Sequence, residues 1–405
     1  MDVIFNEGGV TAPEGFLAAG VHCGIKRYKK DVAVVYSRVP AVAAGVFTTN
    51  RVKAAPLKIT MENLRDKRAQ VIVANSGNAN ACTGERGMKD AKEMAELTAK
   101  ELGCRTEDVV VASTGVIGVR MPMEKVRDGI IQCCRNVSKE GGVDAACAIM
   151  TTDTFKKEMA VKIDVSGKKV TIGGMAKGSG MIHPNMATML CFITTDASIE
   201  ADALEKALRR ATVRSFNMIS VDGDTSTNDM AVVLANGLAG NRPIQWGTED
   251  FDAFYRGLET VCVELAKMMA RDGEGATKFM EVEVKNAPDE LSAVKAARSI
   301  TRSNLVKAAI FGEDANWGRI ICAVGYSGID FNPELVDIYI CSKAGELILA
   351  QNGMGLDFSE DKAREILKEK DIKVIVDLKQ GYGHATAWGC DLSYDYVKIN
   401  GSYRT

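Results

Sequence analysis

Histidine is nearly absent. The 405 residues contain only His22, His183 and His384, and none stands at a metal-ligand spacing from another histidine or a cysteine. This scarcity removes most metal-hydrolase and Ser-His-Asp readings, so no metal is expected and any general base must be another kind of group. An excess of charge of one sign is missing too. With 51 Lys+Arg against 53 Asp+Glu, no global basic field exists for nucleic acid or an anionic membrane surface, and neither is expected as a partner. Long apolar runs are lacking: the stretch 32–47 is interrupted by Ser37, Arg38 and Pro40 and falls short of a bilayer span. The first residues, MDVIFNEGGV, put Asp2 and Glu7 where a secretory signal would carry positive charge. The eleven cysteines are odd in number and form no C-x-x-C pair, and Cys191, Cys262 and Cys322 stand inside apolar runs. They read as reduced core residues of a cytoplasmic protein.

What is present is an alternation of short β-branched runs with longer helical patterns, the rhythm of a mixed α/β protein. Strands are expected at 32–39, 41–49, 71–74 and 109–112. A hairpin should follow, its apolar Met159, Val161, Ile163 and Val165 alternating before an exposed turn at Ser166-Gly167 and a returning strand at 169–172. The clearest helix carries Phe251, Phe254, Leu258, Val261, Leu265 and Met268 at spacings of three and four, with Thr248 as its cap. Further helices are expected at 88–102, 122–134, 201–214 and 359–370, and further strands at 278–285, 335–341, 373–377 and 385–392. No fixed-period repeat, low-complexity segment or linker is visible.

The most unusual segment is 173–196, GGMAKGSGMIHPNMATMLCFITTD. Its pattern describes a glycine-rich loop entering a core strand, and such a loop can also hold one peptide bond in a chosen geometry. A phosphate loop fails because Ser179 stands where lysine is required, and a dinucleotide fingerprint fails at His183. The run Asp222-Gly-Asp-Thr-Ser-Thr-Asn-Asp229 imitates a calcium loop, yet Thr227 replaces its glycine and Val233 its final glutamate. A polar turn near the site is expected there instead.

The run Lys177-Gly-Ser-Gly-Met-Ile-His-Pro-Asn-Met-Ala-Thr-Met-Leu190 resembles the self-cleavage signature of the ornithine acetyltransferase family, also called the glutamate N-acetyltransferase family, of arginine biosynthesis. Further segments in the same order resemble that family: Asn75–Asn80, Ser113–Gly115, Thr151–Thr154, Asp222–Asp229, Arg271–Glu274, Gly312–Gly318 and Asn400–Thr405. The likeness therefore spans essentially the whole chain. It implies scission between Ala187 and Thr188, giving an α chain of residues 1–187 and a β chain of residues 188–405. It also implies a layered α/β sandwich of mixed sheets flanked by helices, built from both fragments and assembled as α2β2.

The resemblance further implies that Thr188 carries an acetyl group from N-acetylornithine to glutamate, with Thr114 and Gly115 stabilising the oxyanions. Positions 151, 177, 188, 274, 400 and 405 (Thr151, Lys177, Thr188, Glu274, Asn400, Thr405) would contact substrate. From charge alone, Lys177 suits a carboxylate and Glu274 an amino group. No cofactor is implied, although some members also accept acetyl-CoA as a co-substrate. His183 receives no role. A threonine hydroxyl needs a base, and an N-terminal threonine has one in its own α-amine, which titrates near ~7.7–8 where a lysine needs ~10.4. Two rival readings share the scaffold: an aminopeptidase-like N-terminal-nucleophile amidohydrolase that gives the acyl group to water, and a non-catalytic amino-acid-binding protein.

Overall fold

The structure, a computed structural model, describes residues 3–183 and 189–402. Ala187, Thr188 and Thr405 therefore lie outside the described residues. Two mixed sheets organise the chain, as the layered α/β expectation requires. The nine-stranded sheet runs in the order Ile4–Asn6, Lys157–Val165, Lys168–Lys177, Leu190–Thr195, Met230–Ala235, Val32–Phe47, Arg68–Asn78, Val109–Val116, with Phe16–Val21 also on Val32–Phe47. The seven-stranded sheet comprises Met354–Gly355, Gly345–Gln351, Asp337–Ser342, Asp371–Asp377, Phe279–Ala287, Gly383–Cys390 and Ile219–Ser220.

Side chains on successive strand residues point to opposite faces, and the larger sheet uses both. Val34, Val71, Val73 and Val111 pack under the helices Gly84–Leu102 and Met123–Arg135. Their neighbours Ala33, Val35, Ile72, Ala74, Val110 and Ala112 join the opposite core with Phe192 and Leu234. The helix Glu249–Arg271 packs on the Lys157–Val165 and Lys168–Lys177 hairpin and on Gly383–Cys390, so it joins the two sheets in one core. Thr248 caps it by accepting from the Phe251 amide at 3.2 Å. No helix among the described residues is long and apolar enough to cross a membrane.

Several expectations change in instructive ways. The two strands read at 32–39 and 41–49 are one 16-residue strand, Val32–Phe47, whose pairing with Arg68–Asn78 shifts register between Tyr36 and Ala41. Pro40 lies in that interval and has no amide to donate, so the ladder is interrupted without the strand ending. The hairpin turn is as expected: Ser166 and Gly167 both have positive φ, 48° and 81°, as a type I′ turn requires. Its returning strand, however, continues to Lys177. Gly173 and Gly174 are thus strand residues and not loop residues. A Cβ on Gly173 would lie 2.1 Å from the Gly9 carbonyl oxygen, and one on Gly174 3.0 Å from Leu265, so close packing requires both glycines. Cys191 and Cys262 are buried, but Cys322 is exposed on the helix Trp317–Gly325. The apolar run around it is helical, and one side of a surface helix faces water.

Phe254 is fully buried in the core that joins the two sheets. Phe254→Ala should lower unfolding stability by about 3–5 kcal/mol, measured by denaturant titration.

Candidate active site

Thr114, Gly115, Thr151, Lys177, Glu274 and Asn400 all line one cleft of about 280 Å³. These are every expected site residue that lies among the described ones. A larger cavity of about 580 Å³, with Arg214, Glu290 and Trp388 in its wall, contains none of them.

Thr114 and Gly115 belong to the strand Val109–Val116, which runs past the expected end at Ala112 and pairs in parallel with Arg68–Asn78, Gly77 opposite Gly115. The two backbones are so close there that a Cβ on Gly115 would fall 2.4 Å from the Gly77 carbonyl carbon, and Gly115 has φ +132°. The Asn75–Asn80 segment braces this end. The Ser113 hydroxyl donates to Asn75 Oδ1 at 2.5 Å, and Asn228 Nδ2 donates to the carbonyls of Ala79 and Ser113, both at 2.7 Å.

Lys177 ends its strand opposite Leu190 and its Nζ donates to Thr114 Oγ1 at 3.4 Å. Burial pulls its pKa below the ordinary lysine value; nearby Asp153 opposes the shift and Lys157 reinforces it. Behind it lies a charge cluster removed from water. Lys157, 0% exposed, donates to Asp153 at 2.7 Å and to Asp272 at 2.5 Å. Asp153 also accepts from the amides of Gly178 at 2.8 Å and Thr151 at 2.9 Å. Asp272 accepts from the amide and hydroxyl of Thr154. Burial alone would raise the Asp153 carboxyl, but Lys177, Lys157 and these hydrogen bonds hold it well below the usual carboxylate range.

Glu274 follows the end of the long helix, its amide bonded to the Ser179 carbonyl at 3.0 Å. Its carboxylate accepts from Asn400 Nδ2 at 2.8 Å. A Cβ on Gly180 would stand 2.4 Å from that carboxyl carbon, so the glycine makes room for Glu274 in the cleft. The polar turn 222–229 does border the site. Asp222 accepts from the amides of Met181 at 2.6 Å and Ile182 at 2.8 Å, while Ser226, Asn228 and Asp229 line the cleft itself. Sequence reasoning named that run but singled out no residue in it; the strand Met230–Ala235 directly after it, which it missed, is what carries the run to the site. His183 bonds Ser220 and Arg298 at 3.1 and 3.2 Å. Burial, then Arg298 and Arg302, push its pKa down to about 4. It lies outside the cleft lining.

A cleft lined by a buried lysine, a carboxylate and the hydroxyls of Thr114, Thr151 and Ser226 suits a small molecule carrying both charges. A profile of the ArgJ family matches residues 17–405. The chain is 60% identical over 399 residues to the arginine biosynthesis bifunctional protein ArgJ of Caldanaerobacter subterraneus subsp. tengcongensis, covering 98% of this chain and 99% of that protein. It is 59% identical over 401 residues to the corresponding protein of Symbiobacterium thermophilum, with 98% and 99% covered. The crystal structure of the Bacillus halodurans arginine biosynthesis bifunctional protein argJ matches at 50% identity and a TM-score of 0.50, covering 52% of this chain and 98% of that one. This chain belongs to the ArgJ family.

Lys157→Met leaves Asp153 and Asp272 as buried carboxylates without their shared cation. The substitution should cost about 3–5 kcal/mol of stability, read as a lowered denaturant midpoint.

Proposed function

We propose that this chain is an acetyltransferase of arginine biosynthesis that moves acetyl from N2-acetyl-L-ornithine to L-glutamate, releasing ornithine and N-acetylglutamate. The observation that carries this reading is the convergence of Thr114, Gly115, Thr151, Lys177, Glu274 and Asn400 on one cleft. Thr188 is its nucleophile. In maturation the Thr188 hydroxyl attacks the Ala187 carbonyl, and water opens the resulting ester to give fragments 1–187 and 188–405. The solved relative's chain, matched almost end to end by about half of this one, has the length of a single such fragment. Lys168–Lys177 precedes the cut, Leu190–Thr195 follows it, and the two strands pair antiparallel. The fragments accordingly remain joined through the sheet, and pairs of them associate as α2β2 in the cytoplasm.

In the transfer reaction the Thr188 hydroxyl proton passes to that residue's own amine as the oxygen–acetyl bond forms. The same proton goes to the departing ornithine nitrogen as the amide bond breaks, and glutamate then takes the acetyl group by the reverse sequence. Each half passes through an oxyanion. Because the Thr114 oxygen accepts from Lys177, its own O–H is left to donate toward that charge, together with Gly115. One such donor contributes roughly 2.7–4 kcal/mol of transition-state stabilisation. Lys177 receives the substrate carboxylate, whose charge offsets the burial that otherwise weakens the ammonium. Glu274, steadied by Asn400, receives the amino group, and Thr405 is a further proposed substrate contact. The word "bifunctional" in the names of the relatives supports acetyl-CoA as a second donor.

Thr188→Ala should run as one intact chain of 43.6 kDa on a denaturing gel and transfer no acetyl, whereas the wild type gives two fragments. Retained cleavage or transfer in the variant would overturn the assignment. Lys177→Ala should raise the KM for N-acetylornithine about 10- to 100-fold, the loss of one charge-assisted contact; an unchanged KM removes Lys177 from the carboxylate site.

A further inference from the structure

One peptide unit beside the cleft is held at both ends by charged side chains. The Thr151 amide donates to Asp153 Oδ2 at 2.9 Å, and the Met150 carbonyl accepts from Lys26 Nζ at 2.8 Å. A peptide is planar, so fixing its N–H and its C=O together fixes the plane. That plane sets the position of Thr151, which lines the cleft. Hydrogen bonds to charged partners are the stronger kind, and here a cation takes the carbonyl while an anion takes the amide. Lys26 is not itself part of the cleft lining. Its loop is shaped by Asp31, a carboxylate 0% exposed that accepts from the amides of Cys23, Gly24 and Lys26 at 2.7, 3.1 and 3.0 Å. The lysine stem crosses Gly77, where φ is +98° and a Cβ would stand 2.9 Å from Lys26 Cγ. Gly77 pairs opposite Gly115. Lys26 thus joins the chain at Thr151 to the pair of strands that carries Gly115.

We propose that Lys26 is a positioning residue for acetyl transfer: its Nζ holds the Met150 carbonyl, and with it Thr151, in the orientation that receives substrate. The inference rests on the reading of the cleft as an acetyltransferase site. Met150 follows the helix Gly142–Ile149 in an extended conformation, with φ −64° and ψ 148°. The helix ladder therefore offers its carbonyl no amide, and Lys26 supplies the donor. Holding an ammonium in this place has a cost. Burial pulls the Lys26 pKa down to about 8, helped by Lys29 and Lys177 and opposed by Asp31 and Asp153. An apolar side chain would cover Gly77 without that cost, so what the lysine adds at this position is its N–H. The influence of Asp153 and Lys177 on Lys26 also places its ammonium in the electrostatic neighbourhood of the cleft.

Lys26→Met tests this in the full-length enzyme, since it keeps the stem over Gly77 and removes the N–H. The KM for N-acetylornithine should rise about 10-fold while kcat changes by less than about threefold, the pattern of a lost contact made equally in ground and transition states. Lys26→Arg retains a charged donor and should keep KM within about threefold of the wild type. Because Lys26 acts through Thr151, its effect should disappear once that contact is gone: adding Lys26→Met to Thr151→Ala should raise KM by less than about twofold more. A folded Lys26→Met enzyme with wild-type KM overturns the proposal. So does a Lys26→Arg enzyme as impaired as Lys26→Met, an unchanged KM in Thr151→Ala alone, or a double variant in which the two effects multiply in full. Should Lys26→Met not fold, Lys26→Gln, whose side chain is uncharged and shorter, takes its place with the same outcomes. A wild-type enzyme that transfers no acetyl from N-acetylornithine would overturn the acetyltransferase reading and the part of Lys26 in it; the other outcomes leave that reading standing.

Discussion

Lys157 is enclosed between Asp153 and Asp272, and the geometry of the cleft depends on that one buried cation. Through Asp153 it fixes the Thr151 amide and the chain at Gly178, directly after Lys177. Through Asp272 it fixes Thr154 and the end of the long helix, two residues before Glu274. Three segments from distant parts of the sequence are thus held by one ammonium with no water to compete for it. Replacing such a cluster by apolar side chains is often neutral for stability elsewhere. Here the carboxylates have a second task, because their spare oxygens hold the backbone amides that aim the site, and an apolar substitute could not.

The second constraint is close approach of backbone. Gly115 lets two parallel strands meet next to Thr114, Gly173 lets a strand pass under the Gly9 carbonyl, and Gly180 clears the space filled by the Glu274 carboxylate. A side chain at Gly115 or Gly180 would displace a wall of the cleft. Together with the antiparallel pairing of Lys168–Lys177 and Leu190–Thr195, these contacts frame the cleft.

Much of this was legible in the sequence, and for physical reasons. The helix Glu249–Arg271 shows itself because its buried positions recur at three and four and Thr248 is a good cap. The hairpin at 157–177 shows itself because its turn needs two positive φ angles and the sequence offers Ser166-Gly167. Gly173 and Gly174 misled because glycine in a loop and glycine under a crossing backbone look alike in one sequence. Helices such as Gly142–Ile149 and Asn304–Phe311 escaped notice because eight residues are barely two turns, too few to establish a period. The six cleft residues were named through the likeness of motifs spread along the chain, not through spacing. No local pattern reveals that Asp153 and Asp272 share the Lys157 cation, since Asp272 lies 115 residues from it.

The central claim is a covalent relay through Thr188, and the most direct measurement is the mass of the β fragment after incubation with N-acetylornithine in the absence of glutamate. The account predicts a gain of one acetyl group, located at residue 188 by peptide fragmentation and lost on addition of glutamate as N-acetylglutamate appears. A fragment of unchanged mass during active turnover, or an acetyl group on another residue that glutamate discharges, would contradict it.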